Sequence, residues 1–66
     1  MELEQYVGKK VRVQTTGNNE YIGKAVGYVQ AIDNEPEIAE ISIENEIDNK
    51  NYSLFETEIL KIEIVE

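Results

Sequence analysis

The chain of 66 residues carries fourteen acids against six bases, a formal net charge of -8, and contains neither cysteine nor histidine. That length makes one domain, residues 1–66, whose folding hides only about 60% of the unfolded surface. Disulfides, thiolate metal sites, imidazole ligands and the commonest general base are all excluded, and the charge repels nucleic-acid phosphate at long range.

Leu3, Tyr6 and Val7 recur at i, i+3 and i+4, which places them on one face of a helical turn, and Gly8 is its stop. Over residues 9–16, Val11 and Val13 alternate with Lys10, Arg12 and Gln14, predicting a half-buried strand. Gly17-Asn18-Asn19 tolerates positive φ and predicts a hairpin turn. Residues 20–31 predict a second strand that changes phase. Tyr21, Gly23 and Ala25 share one face, then Tyr28 and Ile32 take the opposite parity. A change near Gly27 predicts a bulge or sharp bend, which lets one long strand serve two sides of a small barrel.

Residues 33–36 break the pairing, because Pro36 donates no ladder bond and holds Glu35 extended. Ala39, Ile41 and Ile43 then form a third inward face, followed by a polar loop over 45–51. Tyr52 and Leu54 begin a fourth strand with Phe55 on its opposite face. Glu56-Thr57-Glu58 connects tightly into a fifth strand over 59–65. There Leu60, Ile62 and Ile64 face one way, and Ile59, Lys61, Glu63 and Val65 the other. These elements predict an all-β fold, a small five-stranded, strongly bent antiparallel barrel with a short N-terminal helical turn. No connection holds a crossover helix, which excludes a parallel sheet.

Charge is divided unevenly. Through Lys24 four bases meet three acids; from Ala25 onward two bases meet eleven acids. Lys10 and Arg12 share one strand face, and Lys24 joins them on the next strand as a candidate phosphate-contacting patch. Cross-strand pairing with acids such as Glu63 is the favoured reading of the same residues, each pair contributing well under ~1 kcal/mol. The first choice for a ligand site is the loop holding Asp33, Asn34 and Glu35, since binding residues concentrate on loops of a rigid scaffold. Asp33, Glu35 and Glu37 are hard oxygen donors, yet the spacing lacks the glycine and terminal bidentate glutamate of a calcium loop. The segment reads as a solvated acidic turn, and neither metal nor cofactor is expected. Ser42 and Ser53 have no histidine to activate them, and Lys24 and Lys61 no evident hydrophobic pocket. No catalytic residue is assigned, and a non-enzyme is expected. No basic, apolar leader opens the chain and no apolar run approaches the ~20 residues of a membrane span. A cytoplasmic protein without membrane contact is therefore expected.

Gly8, Val11, Val13, Tyr21, Gly23 and Ala25 match in type and spacing the first motif of Sm-like proteins. Along nearly its whole length the chain resembles a small bacterial member of that family of SH3-like barrels. The resemblance implies a protein that assembles into rings and binds RNA. The departures fall at the RNA-reading positions. The family's Asp and Asn, four residues apart, fall at Val29 and Asp33, with Asn34 following, and its Arg-Gly is replaced here by Phe55-Glu56-Thr57. An ionised aspartate only accepts hydrogen bonds and repels phosphate, so family-style RNA binding is expected to be weak or absent. In Sm-like rings the fourth strand pairs with the neighbour's fifth. If Leu60, Ile62 and Ile64 point inward, Ile59 and Val65 point out, as Phe55 does relative to Leu54. Tyr52, Leu54, Phe55, Ile59 and Val65 are therefore the expected contacts of a homo-oligomer. The function expected is a non-enzymatic Sm-like binding and assembly protein whose main partner is itself. The alternative is a monomeric or dimeric SH3-like module that docks a protein or peptide by an acidic surface.

Overall fold

Alternating apolar residues pair into one antiparallel sheet. In the computed structural model, which describes residues 2–65, the strands are β1 (Lys10–Thr15), β2 (Glu20–Val29), β3 (Glu40–Asn45), β4 (Asn51–Phe55) and β5 (Ile59–Ile64). They are hydrogen-bonded in the order β4-β3-β2-β1-β5. Short 3-10 turns lie at Leu3–Tyr6, Ala31–Asp33 and Glu56–Glu58. The sheet folds over its own inner face into the barrel-like body expected of a small all-β domain. That face carries Val11, Val13, Ala25, Ile41 and Ile43, all fully buried, with Leu54 and Ile59 beside them. Leu3 reaches into the same core from the N-terminal turn, and Tyr6, Tyr21, Tyr28 and Ile62 pack around it. Val7 stays exposed, because the turn is a 3-10 helix, which aligns i with i+3 but not with i+4.

The phase change in β2 is a bulge. Ala25 pairs opposite Ile43 and Gly27 opposite Ser42, so Val26 is the extra residue, and Tyr28 then falls opposite Ile41. The bend is reinforced by a close backbone approach at Gly23, where a Cβ would lie 1.8 Å from the Glu44 carbonyl oxygen. Only glycine lets β2 and β3 meet there. Asn18 and Asn49 take the left-handed conformation at the two polar turns, at φ 61° and 59°.

The fifth strand corrects the simple alternation. Ile64 lies opposite Val11 and Ile62 opposite Val13, but the register shifts at Gln14/Thr15 and puts Ile59 opposite Thr15. Leu60 becomes the extra residue of a second bulge. It is 67% exposed, whereas Ile59 is 7% exposed and belongs to the core. The expected inward Leu60 and outward Ile59 are thus reversed, because one inserted residue changes the parity of everything before it.

Candidate functional site

The loop between β2 and β3 is held by one amide. The Asn34 side chain donates through Nδ2 to the Ile38 carbonyl (2.9 Å) and to Glu40 Oε1 (2.8 Å). Both of its hydrogens are spent fastening the loop to the start of β3, leaving only its oxygen to face a ligand. Asp33 accepts from Gln30 Nε2 at 2.6 Å, and Glu35 is exposed. The Glu56 N–H donates to the Ala39 carbonyl at 2.8 Å, which brings the β4–β5 turn, with Glu56 and Glu58, toward the same end. Asp33, Glu35, Glu37 and Glu40 lie along this loop and the start of β3, with no base among residues 25–40. This end presents carboxylates, an arrangement that attracts cations and repels phosphate. Among the described residues no group of three acids is gathered closely enough to hold a metal ion.

The basic residues face acids. Arg12 Nη1 lies 3.5 Å from Glu63 Oε1, and its Nε 3.9 Å from Glu20 Oε2. Lys10 Nζ lies 3.2 Å from Glu46 Oε1. Lys10 and Lys24 are register partners, with Glu44 opposite Lys24 on its other side. The three cations do lie together, but their field is offset by four carboxylates. All these side chains are about half exposed or more, so each contact is worth under ~1 kcal/mol.

A third group was not legible from the sequence. Asn45 is buried at the end of β3; its Oδ1 accepts from the Ile22 N–H (3.2 Å) and its Nδ2 donates to Asp48 Oδ1 (3.2 Å). Asp48 Oδ1 also accepts from the Lys50 N–H at 3.0 Å, and the Tyr52 hydroxyl donates to Asp48 Oδ2. The Tyr52 bond is the main reason the Asp48 carboxyl titrates below its ordinary value and the Tyr52 phenol above its own. The Tyr52 ring packs on Tyr21, with centroids 4.8 Å apart. The signal available was the Asn45, Asp48, Tyr52 spacing, which closes a loop on itself.

The two ends of the sheet are β4 and β5. Of the five expected contact residues, Leu54 (4% exposed) and Ile59 are consumed by the subunit's own core, and Tyr52 is held by Asp48. Phe55 and Val65 remain half-buried at the edges. The largest exposed apolar groups on these strands are instead Leu60 and Ile64, the latter 47% exposed. No family model, curated protein or solved structure matches the chain.

Proposed function

We propose that this is a non-enzymatic Sm-like assembly protein, a homo-oligomer in which β4 of one copy meets β5 of the next, with weak or absent family-style RNA binding. The observation that carries this reading is the pair of terminal strands, each with exposed or half-exposed apolar side chains at its edge. A terminal strand presents a row of N–H and C=O groups ready to pair with another chain. A domain this small gains stability from any further apolar burial. Because the two edges differ, the contact is head-to-tail, and such contacts close into rings when the rotation between copies divides a full turn. RNA is disfavoured because the loop that would read it presents Asp33 and Glu35, and Asn34 spends its donors internally.

Light scattering after size exclusion tests the proposal. About five to seven copies are expected, with assembly loosened at low salt because subunits of charge -8 repel one another. A monomer at every salt concentration refutes it. The acids of the β2–β3 loop and the start of β3, Asp33, Glu35, Glu37 and Glu40, favour a second reading, an acidic module that docks a basic protein segment. Under that reading a monomer binds a Lys/Arg-rich peptide, and binding weakens with salt.

A further inference from the structure

We infer that Tyr52 and Asp48 form a seat for a guanidinium group, an Arg side chain presented by a partner chain. The cation lies over the face of the Tyr52 ring turned away from Tyr21 and donates to Asp48 Oδ2. This seat is at the end of β3 opposite to the acidic β2–β3 loop, and it depends on neither reading above.

The core does not account for Tyr52. Tyr6, Tyr21 and Tyr28 pack against the core, whereas Tyr52 rests on the Tyr21 ring, with centroids 4.8 Å apart and planes tilted by 44°. Tyr52 is half-buried, and its bond to Asp48 is at the surface. One side of the ring is used within the subunit and the other is left for a partner. An aromatic face is negative and attracts a cation within about 6 Å of its centroid. Here the phenol donates to an ionised carboxylate, which draws its proton outward and leaves the ring richer in electrons.

The carboxylate is fixed and has room for one more donor. Asp48 Oδ1 accepts from Asn45 Nδ2 and from the Lys50 N–H, and Oδ2 accepts from Tyr52. With two lone pairs on each oxygen, one place remains, on Oδ2 beside the ring. Asn45 is itself anchored by the Ile22 N–H. Ring and carboxylate are therefore both held before a ligand arrives, which lowers the ordering cost of binding. Ile47, next to Asp48 in the loop, is 69% exposed and offers an apolar surface to the methylene stem of an Arg.

This chemistry selects a guanidinium. That group is planar and weakly hydrated, and it stacks on aromatic faces while keeping its donors. A Lys ammonium is a compact, strongly hydrated point charge and gains less from the ring. Phosphate is repelled by Asp48 and by the net charge of -8. Lys50 is the neighbouring base whose charge bears on Asp48. It opposes a second cation, so removing its charge should tighten the seat.

NMR shifts of the amides and tyrosine rings, followed during titration with the blocked tripeptide acetyl-Gly-Arg-Gly-amide, test the seat. Shifts confined to residues 47–52 and to the Tyr21 and Tyr52 rings are expected, with a Kd of about 1–10 mM. The Lys tripeptide and the neutral citrulline tripeptide should bind about fivefold more weakly or worse. Tyr52→Leu and Asp48→Asn should each weaken binding about five- to tenfold, while Lys50→Gln strengthens it about two- to threefold. A cluster that only closes its own loop predicts no such gain. If Tyr52→Leu does not fold, Tyr52→Phe keeps the ring, loses the tie to Asp48, and should weaken binding about twofold. Equal shifts with the Lys tripeptide, shifts centred on residues 33–40, or no shift at tens of millimolar peptide overturn the inference. Free arginine carries its own carboxylate and should bind more weakly than the blocked tripeptide. Equal binding would replace the partner chain with a small molecule and overturn that part.

Discussion

Gly23→Ala tests the closest approach in the fold. The new methyl would lie 1.8 Å from the Glu44 carbonyl oxygen and 3.3 Å from Asn45 Cα. Ordinary contacts lie near 3.5 Å, so β2 and β3 must part by roughly 1.5 Å. Two hydrogen bonds flank this point, Ile22 N–H to Asn45 Oδ1 at 3.2 Å and Glu46 N–H to the Ile22 carbonyl at 2.8 Å. Neither survives that displacement. Their loss costs about 1 kcal/mol each, and overpacking adds about 1–3 kcal/mol, for about 3–5 kcal/mol together. A domain of 66 residues holds only about 3–10 kcal/mol in all. With an unfolding entropy of about 0.14 kcal/mol/K for this length, the melting temperature falls by about 20–35 °C. Circular dichroism melts at matched protein concentration read the shift. Gly27→Ala is the control, since its methyl meets Ser42 Cβ at an unstrained 3.7 Å. It should be neutral or stabilising by up to about 1 kcal/mol. A Gly23→Ala melt within about 5 °C of the parent refutes the reasoning, and so does an equal fall in both variants.

Three further perturbations separate the remaining sites. Asn34→Ala removes both donations that fasten the β2–β3 loop, costing about 1–2 kcal/mol. Amide exchange should quicken over residues 33–38 and stay unchanged in β1; uniform exchange counts against the amide as the fastener. Tyr52→Phe should lower stability across the middle of the pH range and leave it unchanged at both extremes. Asp48 has a lowered folded pKa, so its contribution is present above the unfolded carboxylate value and is lost as pH falls through the folded one. Tyr52 has a raised folded pKa, so its contribution is present below the unfolded phenol value and is lost as pH rises through the folded one. Urea melts across pH should show a parent–variant gap that is widest between those limits and closes toward both; a flat gap contradicts the pairing. Arg12→Ala should cost under ~1 kcal/mol, and the difference should fade toward about 1 M salt.

Period-two patterning made β1 and β3 legible, because Val11, Val13, Ile41 and Ile43 have polar neighbours and a single buried face. The β2 bulge was also legible, since Tyr28 breaks phase beside a glycine. The β5 bulge was not. Its cause lies in the pairing with β1 at Gln14/Thr15, while Ile59 to Ile64 reads equally well as an unbroken alternation. The candidate site was legible only as a place. Asn34 and Asn45 look alike in sequence, two amides in polar stretches, yet one staples a loop and the other is buried and bonded to β2 and to the loop after β3. What distinguishes them is which backbone groups the fold leaves needing a partner, and that is decided by register.

Asn45 also acts on structures the chain does not adopt. It sits buried with its oxygen matched to one N–H on β2 and its nitrogen matched to one carboxylate in the next loop. If β3 slid by one position along β2, Glu44 or Glu46 would take that enclosed place, and every isoleucine of β3 would turn to solvent. A carboxylate buried there would carry its full dehydration cost beside a second acid, Asp48. The isoleucines alone tolerate a slip of two, which preserves their face; the amide does not, because the partners it needs would then be two residues away. Its contribution is therefore uniqueness of alignment more than strength. An apolar replacement at Asn45 should lower the melting temperature, since it leaves the Ile22 N–H without its partner, and should also leave the sheet more than one way to pair.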